Sequence, residues 1–87
     1  MKEKYEIFWS EFSDRQLNKL NKKTIKRITQ KLESITKNPF KFIKKLKGFD
    51  LYRLRVGDYR VILSIEKSRL VVFVLDVGHR KVIYRKY

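Results

Sequence analysis

The sequence predicts an α+β fold in the order β-α-α-β-β-β, with two N-terminal helices packed on one face of a small, twisted, mostly antiparallel sheet. Three observations carry this. Ile25, Ile28, Leu32 and Ile35 recur at helical spacing. From Leu51 onward the apolar period changes to two. Gly57-Asp58 then divides two alternating runs, a two-residue hairpin signal. Amphipathic helices and a sheet with one apolar face bury each other when packed together.

The elements follow in order. Tyr5 to Trp9 reads as a first strand, with Tyr5, Ile7 and Trp9 on one face. A helix follows with Ser10 or Ser13 as N-cap; Gln16 stands at capping-box spacing from Ser13. Phe12, Leu17 and Leu20 would supply its apolar stripe, and Asn21 breaks or caps it. In the second helix Ile25, Ile28, Leu32 and Ile35 face inward, while Lys22, Lys23, Lys26, Arg27 and Lys31 form a basic stripe. Asn38-Pro39 ends this helix, because the residue before proline disfavours helical backbone. Leu51 to Val56 alternates Tyr52, Leu54 and Val56 against Arg53 and Arg55, and Tyr59 to Glu66 alternates in the same way. After a turn over Glu66 to Ser68, Leu70 to Val77 is nearly all apolar, as expected of a central strand buried on both faces. The remainder, Gly78 to Tyr87, is a basic tail.

Eighty-seven residues, without repeat or linker, make a single domain over 1–87. Lys and Arg number 23 against 9 Asp and Glu, a formal net charge of +14, which points to a polyanion or an acidic protein as partner. The lack of cysteine excludes a disulfide framework, a thiolate zinc site and a cysteine nucleophile, and one histidine cannot form a metal-binding cluster. No metal, cofactor or small-molecule ligand is expected. The longest apolar run, Leu70 to Leu75, is far too short to cross a bilayer, and the N-terminus lacks the pattern of a secretory signal, so the chain reads as cytoplasmic with no membrane partner.

The pleat locates the chemistry. If Tyr52, Leu54 and Val56 face the helices, Arg53 and Arg55 face the opposite, open side. Arg60 has the parity opposite to Tyr59, Val61 and Leu63 and joins them, and Arg80 follows just past Gly78. Any one of these arginines alone reads equally well as part of a solvated face. Their convergence favours a phosphate site, because crowded like charges are costly without an anion. The basic stripe of the second helix has no interleaved aromatics and reads as a solvated surface or a loose contact with a large polyanion. His79 is either a surface residue of the tail or a general acid or base. Tyr84 is core filling, a stacking surface for a nucleobase, or a proton-transfer group, since cationic surroundings acidify a phenol. Tyr52 and Tyr59 read as core. Asp76 is placed to orient His79 or to pair with an arginine.

Four segments together carry a resemblance: Lys45-Leu46-Lys47-Gly48, Leu51 to Val61 with its Gly57-Asp58-Tyr59-Arg60 hairpin, Val71 to Arg80 with its Val77-Gly78-His79-Arg80 turn, and Tyr84-Arg85. The pattern resembles the RelE branch of the RelE/ParE toxins, by motif over about residues 38 to 85 and by layout over essentially the whole chain. The resemblance implies a ribosome-dependent messenger RNA endoribonuclease, the toxin of a type II toxin–antitoxin system. In such enzymes a ribose 2′-hydroxyl attacks the adjacent phosphate in the decoding site, without metal, leaving a 2′,3′-cyclic phosphate. The partners implied are the ribosome, messenger RNA and a cognate RelB-type antitoxin.

Carried over by position, Arg53 and Arg55 match two sheet lysines of the bacterial branch, Arg60 and Arg80 its arginines, Tyr84 its C-terminal tyrosine, and Lys45 and Lys47 basic residues of the preceding loop. The resemblance thus implies Arg60, Arg80 and Tyr84 as catalytic residues, which His79 joins on its own chemistry as the one imidazole, and Arg53, Arg55, Lys45 and Lys47 as the substrate-binding set. The chain departs from the bacterial pattern in having arginine for lysine at 53 and 55, histidine for lysine at 79, and a tail two residues shorter. Arginine stays protonated in proteins, so the acid or base role moves toward His79 and Tyr84. Two other readings remain: a poison of DNA gyrase, as in the ParE branch with the same fold, and a non-catalytic RNA- or ribosome-binding module.

Overall fold

The computed structural model describes residues 3–87. The chain runs β1 (Glu6–Trp9), α1 (Glu11–Asn18), α2 (Lys22–Ser34), a 3-10 turn (Pro39–Lys41), β2 (Ile43–Lys45), β3 (Tyr52–Val56), β4 (Tyr59–Glu66), β5 (Val71–His79) and α3 (Arg80–Lys86). One five-stranded sheet has the order β1-β5-β4-β3-β2. β1 runs parallel to β5, and the other pairs are antiparallel. The fold class is α+β as expected, with one strand and one helix added to the expected order.

α1 and α2 cover one face of the sheet. Leu17, Ile28, Leu32 and Ile35 pack with Leu54, Val56, Val61, Leu63, Val72, Val74 and Val77 in the main core. Asn21 caps α2, its side-chain oxygen accepting from the Thr24 N–H at 2.8 Å. Ser10, not Ser13, caps α1. The capping box between Ser13 and Gln16 does not form, because both side chains turn to β5. Ser13 is buried and its Oγ donates to the Val74 carbonyl at 2.8 Å. Gln16 accepts from the Val77 N–H at 2.8 Å and donates to Asp76 at 2.8 Å. β1 ends at Trp9 opposite Val74, so these two residues satisfy the edge of β5 where its neighbour has stopped. Phe12 lies outside the apolar stripe and is exposed. Five residues from Leu17, it is turned about 140° around the helix.

The two unexpected elements change the surface. β2 lies in the basic segment before β3 and is three residues long, too short to display an alternation. The basic tail, to which the sequence pattern assigns no element, folds as α3, which covers part of the face expected to be open. Ile83 is α3's one buried residue and lies over Gly78, where a Cβ would come 3.5 Å from it. Ile62, on the side of β4 away from α1 and α2, is fully buried as well. Asp76 holds the end of α3, accepting from Lys86 at 3.1 Å and from the Tyr87 hydroxyl at 3.1 Å. Burial and the Asp76 carboxylate push the Tyr87 phenol above its usual range. β5 is only partly the two-sided strand expected: Val72, Val74 and Val77 are buried, whereas Phe73 and Leu75 are half-buried. Among the described residues no helix is long and apolar enough to cross a membrane.

Candidate nucleic-acid interface

On the sheet face opposite α1 and α2, beside α3, lies a cleft of about 310 Å³ lined by Phe42, Lys44, Arg53, Arg55, Arg60 and Tyr84. Strand register builds it. Lys44 stands opposite Arg53 across β2 and β3, and Arg55 stands opposite Arg60 across β3 and β4. Like charges in direct cross-strand register are destabilising. The lining holds four cations and no carboxylate.

Arg60 is the fixed member. It is 4% exposed. Its Nη1 donates to the carbonyls of Gly57 and Tyr59, each at 2.9 Å, so the hairpin turn grips the guanidinium. Its Nη2 donates to the Tyr84 hydroxyl at 3.4 Å. The Tyr84 ring lies 5.8 Å from the Arg60 guanidinium carbon and 5.9 Å from that of Arg53. Arg80 begins α3 and is four residues before Tyr84, on the same helical face. Its backbone N–H donates to the Asp58 carbonyl at 2.8 Å, tying α3 to the hairpin. The Tyr84 phenol is held below its usual range, first by the Arg60 hydrogen bond, then by the charges of Arg60, Arg53 and Arg80.

The eight residues singled out from the sequence are not all together. Arg53, Arg55, Arg60 and Tyr84 line the cleft, and Arg80 adds its charge at Tyr84. His79 is elsewhere. β5 continues through it in register with Tyr59, whose side chain packs on the main core, so the pleat turns His79 toward the α1 and α2 face. Its Nδ1 accepts from the Lys81 N–H at 3.3 Å, and its ring meets Tyr59 edge-on at 5.9 Å. Asp76 neither orients His79 nor pairs with an arginine; its partners are Gln16, Lys86 and Tyr87. Lys45 has the parity opposite to Lys44 and pairs with Asp50 at 3.6 Å. Lys47 is exposed in the loop after β2 and does not line the cleft. Lys44 and Phe42 take those places, and reading Ile43-Lys44-Lys45 as a strand would have found Lys44 by parity.

Residues 7–84 match the family model described as the ParE toxin of the type II toxin–antitoxin system parDE. The archaeal toxin in the RelE–RelB complex of Pyrococcus horikoshii OT3 is 31% identical, with a TM-score of 0.75 over 92% of this chain and 97% of that one. A mutant of the Escherichia coli toxin RelE in the free state is 27% identical, with a TM-score of 0.77 over 95% and 93% of the two chains. The RelBE2 toxin–antitoxin complex of Mycobacterium tuberculosis contains a chain of the same fold, 22% identical, with a TM-score of 0.82 over 88% of this chain and 99% of that one. A search of curated proteins finds no match.

Proposed function

The chain belongs to the RelE/ParE superfamily of toxins of type II toxin–antitoxin systems, and we propose that within it the protein is a ribosome-dependent messenger RNA endoribonuclease. The observation that carries this reading is an acidified phenol, Tyr84, hydrogen-bonded to a buried, turn-gripped arginine, Arg60, inside a cleft of cations. Stabilising a phosphorane requires fixed positive charge, and a leaving alkoxide requires a proton.

In the proposed reaction Lys44, Arg53 and Arg55 hold the phosphates flanking the scissile bond. Their charge makes the ribose 2′-hydroxyl easier to ionise, and its proton passes to water. The 2′-oxygen attacks phosphorus. Arg60, with Arg80 beside it, stabilises the added negative charge of the pentacoordinate phosphorane. The bond to the 5′-oxygen breaks as Tyr84 gives that oxygen its proton, leaving a 2′,3′-cyclic phosphate and a 5′-hydroxyl. The phenolate then recovers a proton from solvent. His79, turned to the other face, takes no part in this scheme. An isolated site of this kind depends on the ribosome to place the RNA in line. The antitoxin partner proposed is RelB-type, as in the RelE–RelB complexes, with an acidic segment complementary to the cleft.

The test is a purified translation system with programmed ribosomes and an open decoding site, with messenger cleavage mapped by primer extension. Cleavage at the decoding-site codon only when ribosomes are present is expected. The family model is that of ParE, so inhibition of DNA gyrase is the second reading. Intact messenger together with loss of gyrase supercoiling activity would establish it instead.

A further inference from the structure

Building on the RNA-cleaving reading of the cleft, we infer that the cleft is one end of a longer track: a single RNA strand held there continues past Arg55 onto α2, where Arg27 and Lys31 hold its next phosphates. A second groove of about 380 Å³ is lined by Arg27, Gln30, Lys31, Arg55, Val56 and Gly57. Arg55 lines both this groove and the cleft. A second link is Lys31, whose Nζ lies 5.4 Å from the centre of the Phe42 ring, a wall of the cleft. Gly57 permits the junction. Its φ of +58° favours glycine, and a Cβ there would fall 2.6 Å from Arg27 Nη2, so that guanidinium lies directly against the hairpin turn.

The charges fit an extended anion. Neither lining contains a carboxylate. Among the described residues the salt bridges use Lys4, Arg15, Lys45, Arg69 and Lys86, and none uses Arg27, Lys31, Lys44, Arg53 or Arg55. The unpaired cations run from one side of the sheet, around the β3–β4 hairpin, to the other. One phosphate cannot neutralise them all; a chain of phosphates can. Phe42 and Tyr84 are 45% and 52% exposed beside these cations, which suits an RNA strand, whose bases stack on aromatic faces, better than an acidic peptide.

The test measures binding of 2′-O-methyl RNA, which lacks the attacking hydroxyl and cannot be cut. A trinucleotide and a nonanucleotide containing it are titrated by fluorescence anisotropy at several salt concentrations. The nonanucleotide is expected to bind at least tenfold more tightly. In the double variant Arg27→Ala, Lys31→Ala that gain disappears, the trinucleotide binds as before, and the salt slope for the nonanucleotide falls by about 1.4, at about 0.7 per phosphate contact on a single strand. The double variant Lys22→Ala, Lys23→Ala removes the same charge from α2 outside the groove and keeps the gain. Equal loss in both variants, or no gain with length in the wild type, overturns the track. So does a variant at 27 and 31 that binds the nonanucleotide normally and loses only a glutamate-rich peptide. A protein that shows the length gain yet cuts no messenger on ribosomes keeps the track and loses the nuclease reading.

Discussion

Tyr84 is the residue on which the proposed chemistry turns, and its roles separate experimentally. Tyr84→Phe should slow cleavage by roughly 10²–10⁴. An RNA whose scissile 5′-oxygen is replaced by sulfur leaves without a proton, so the variant should cut it nearly as fast as the wild type does. A variant equally slow on both substrates would make Tyr84 a positioning residue. Because the phenol is acidified by Arg60, Arg53 and Arg80, phenolate forms at lower pH than in an ordinary tyrosine. An acid role therefore predicts a rate that holds at low pH and falls as pH rises through that depressed value. Arg60→Ala should move the falling limb upward in whatever activity remains, and an unchanged limb would remove Arg60 as its cause. Parity predicts a second contrast: Lys44→Ala should weaken RNA binding, whereas Lys45→Ala should leave it unchanged and lose only an exposed pair with Asp50. The same parity made Arg53, Arg55 and Arg60 legible in the sequence. Carried on through Gly78, the same parity sets His79 with Tyr59 on the face opposite these arginines.

At the scale of elements, two joints bear most on where the cleft lies. The first joins α1 to β5. Ser13→Ala removes a buried donor from Val74 while the Ser10 N–H still reaches that carbonyl at 2.9 Å, so the loss should be about 1 kcal/mol in urea unfolding. No change would mean that the bond contributes nothing net. The second is the β3–β4 hairpin, which positions Arg55, Arg60 and the Asp58 carbonyl that receives α3. Gly57→Ala should cost about 1–2 kcal/mol, because φ at 57 is +58° and an L side chain is strained there. The sequence displayed these elements because α2, β3 and β4 are long enough for their periods to show. β2 has only three residues, and α3 only seven with one buried. Neither carries a readable period, and both depend on tertiary contacts: the ladder to β3, and Ile83 over Gly78. Ser13 and Gln16 misled for a related reason. Their spacing suits a capping box, but the unsatisfied edge of β5 competes for the same side chains.

For the whole molecule the governing quantity is a net charge of +14 on a body measuring 37 × 31 × 23 Å. At about 0.01 M salt the screening length is about 30 Å, so every charge acts across the entire protein; at about 0.15 M it is about 8 Å and only neighbours interact. With 23 basic residues against 9 acidic ones, the long-range sum is repulsive and falls on the folded state more heavily than on the expanded unfolded chain. Raising salt across that range should therefore raise Tm by several degrees, the reverse of what a protein held together by surface ion pairs would show. Calorimetry at fixed pH checks this. A specific anion site adds a second, separable increment. At constant ionic strength, 2′-O-methyl RNA should raise Tm further, because a ligand that binds only the folded state stabilises it by mass action. If the cleft is that site, Arg53→Ala should keep the rise with salt and lose most of the rise with RNA. Equal loss of both would mean that the arginines act only through total charge, and that the cleft has no preference for phosphate beyond it.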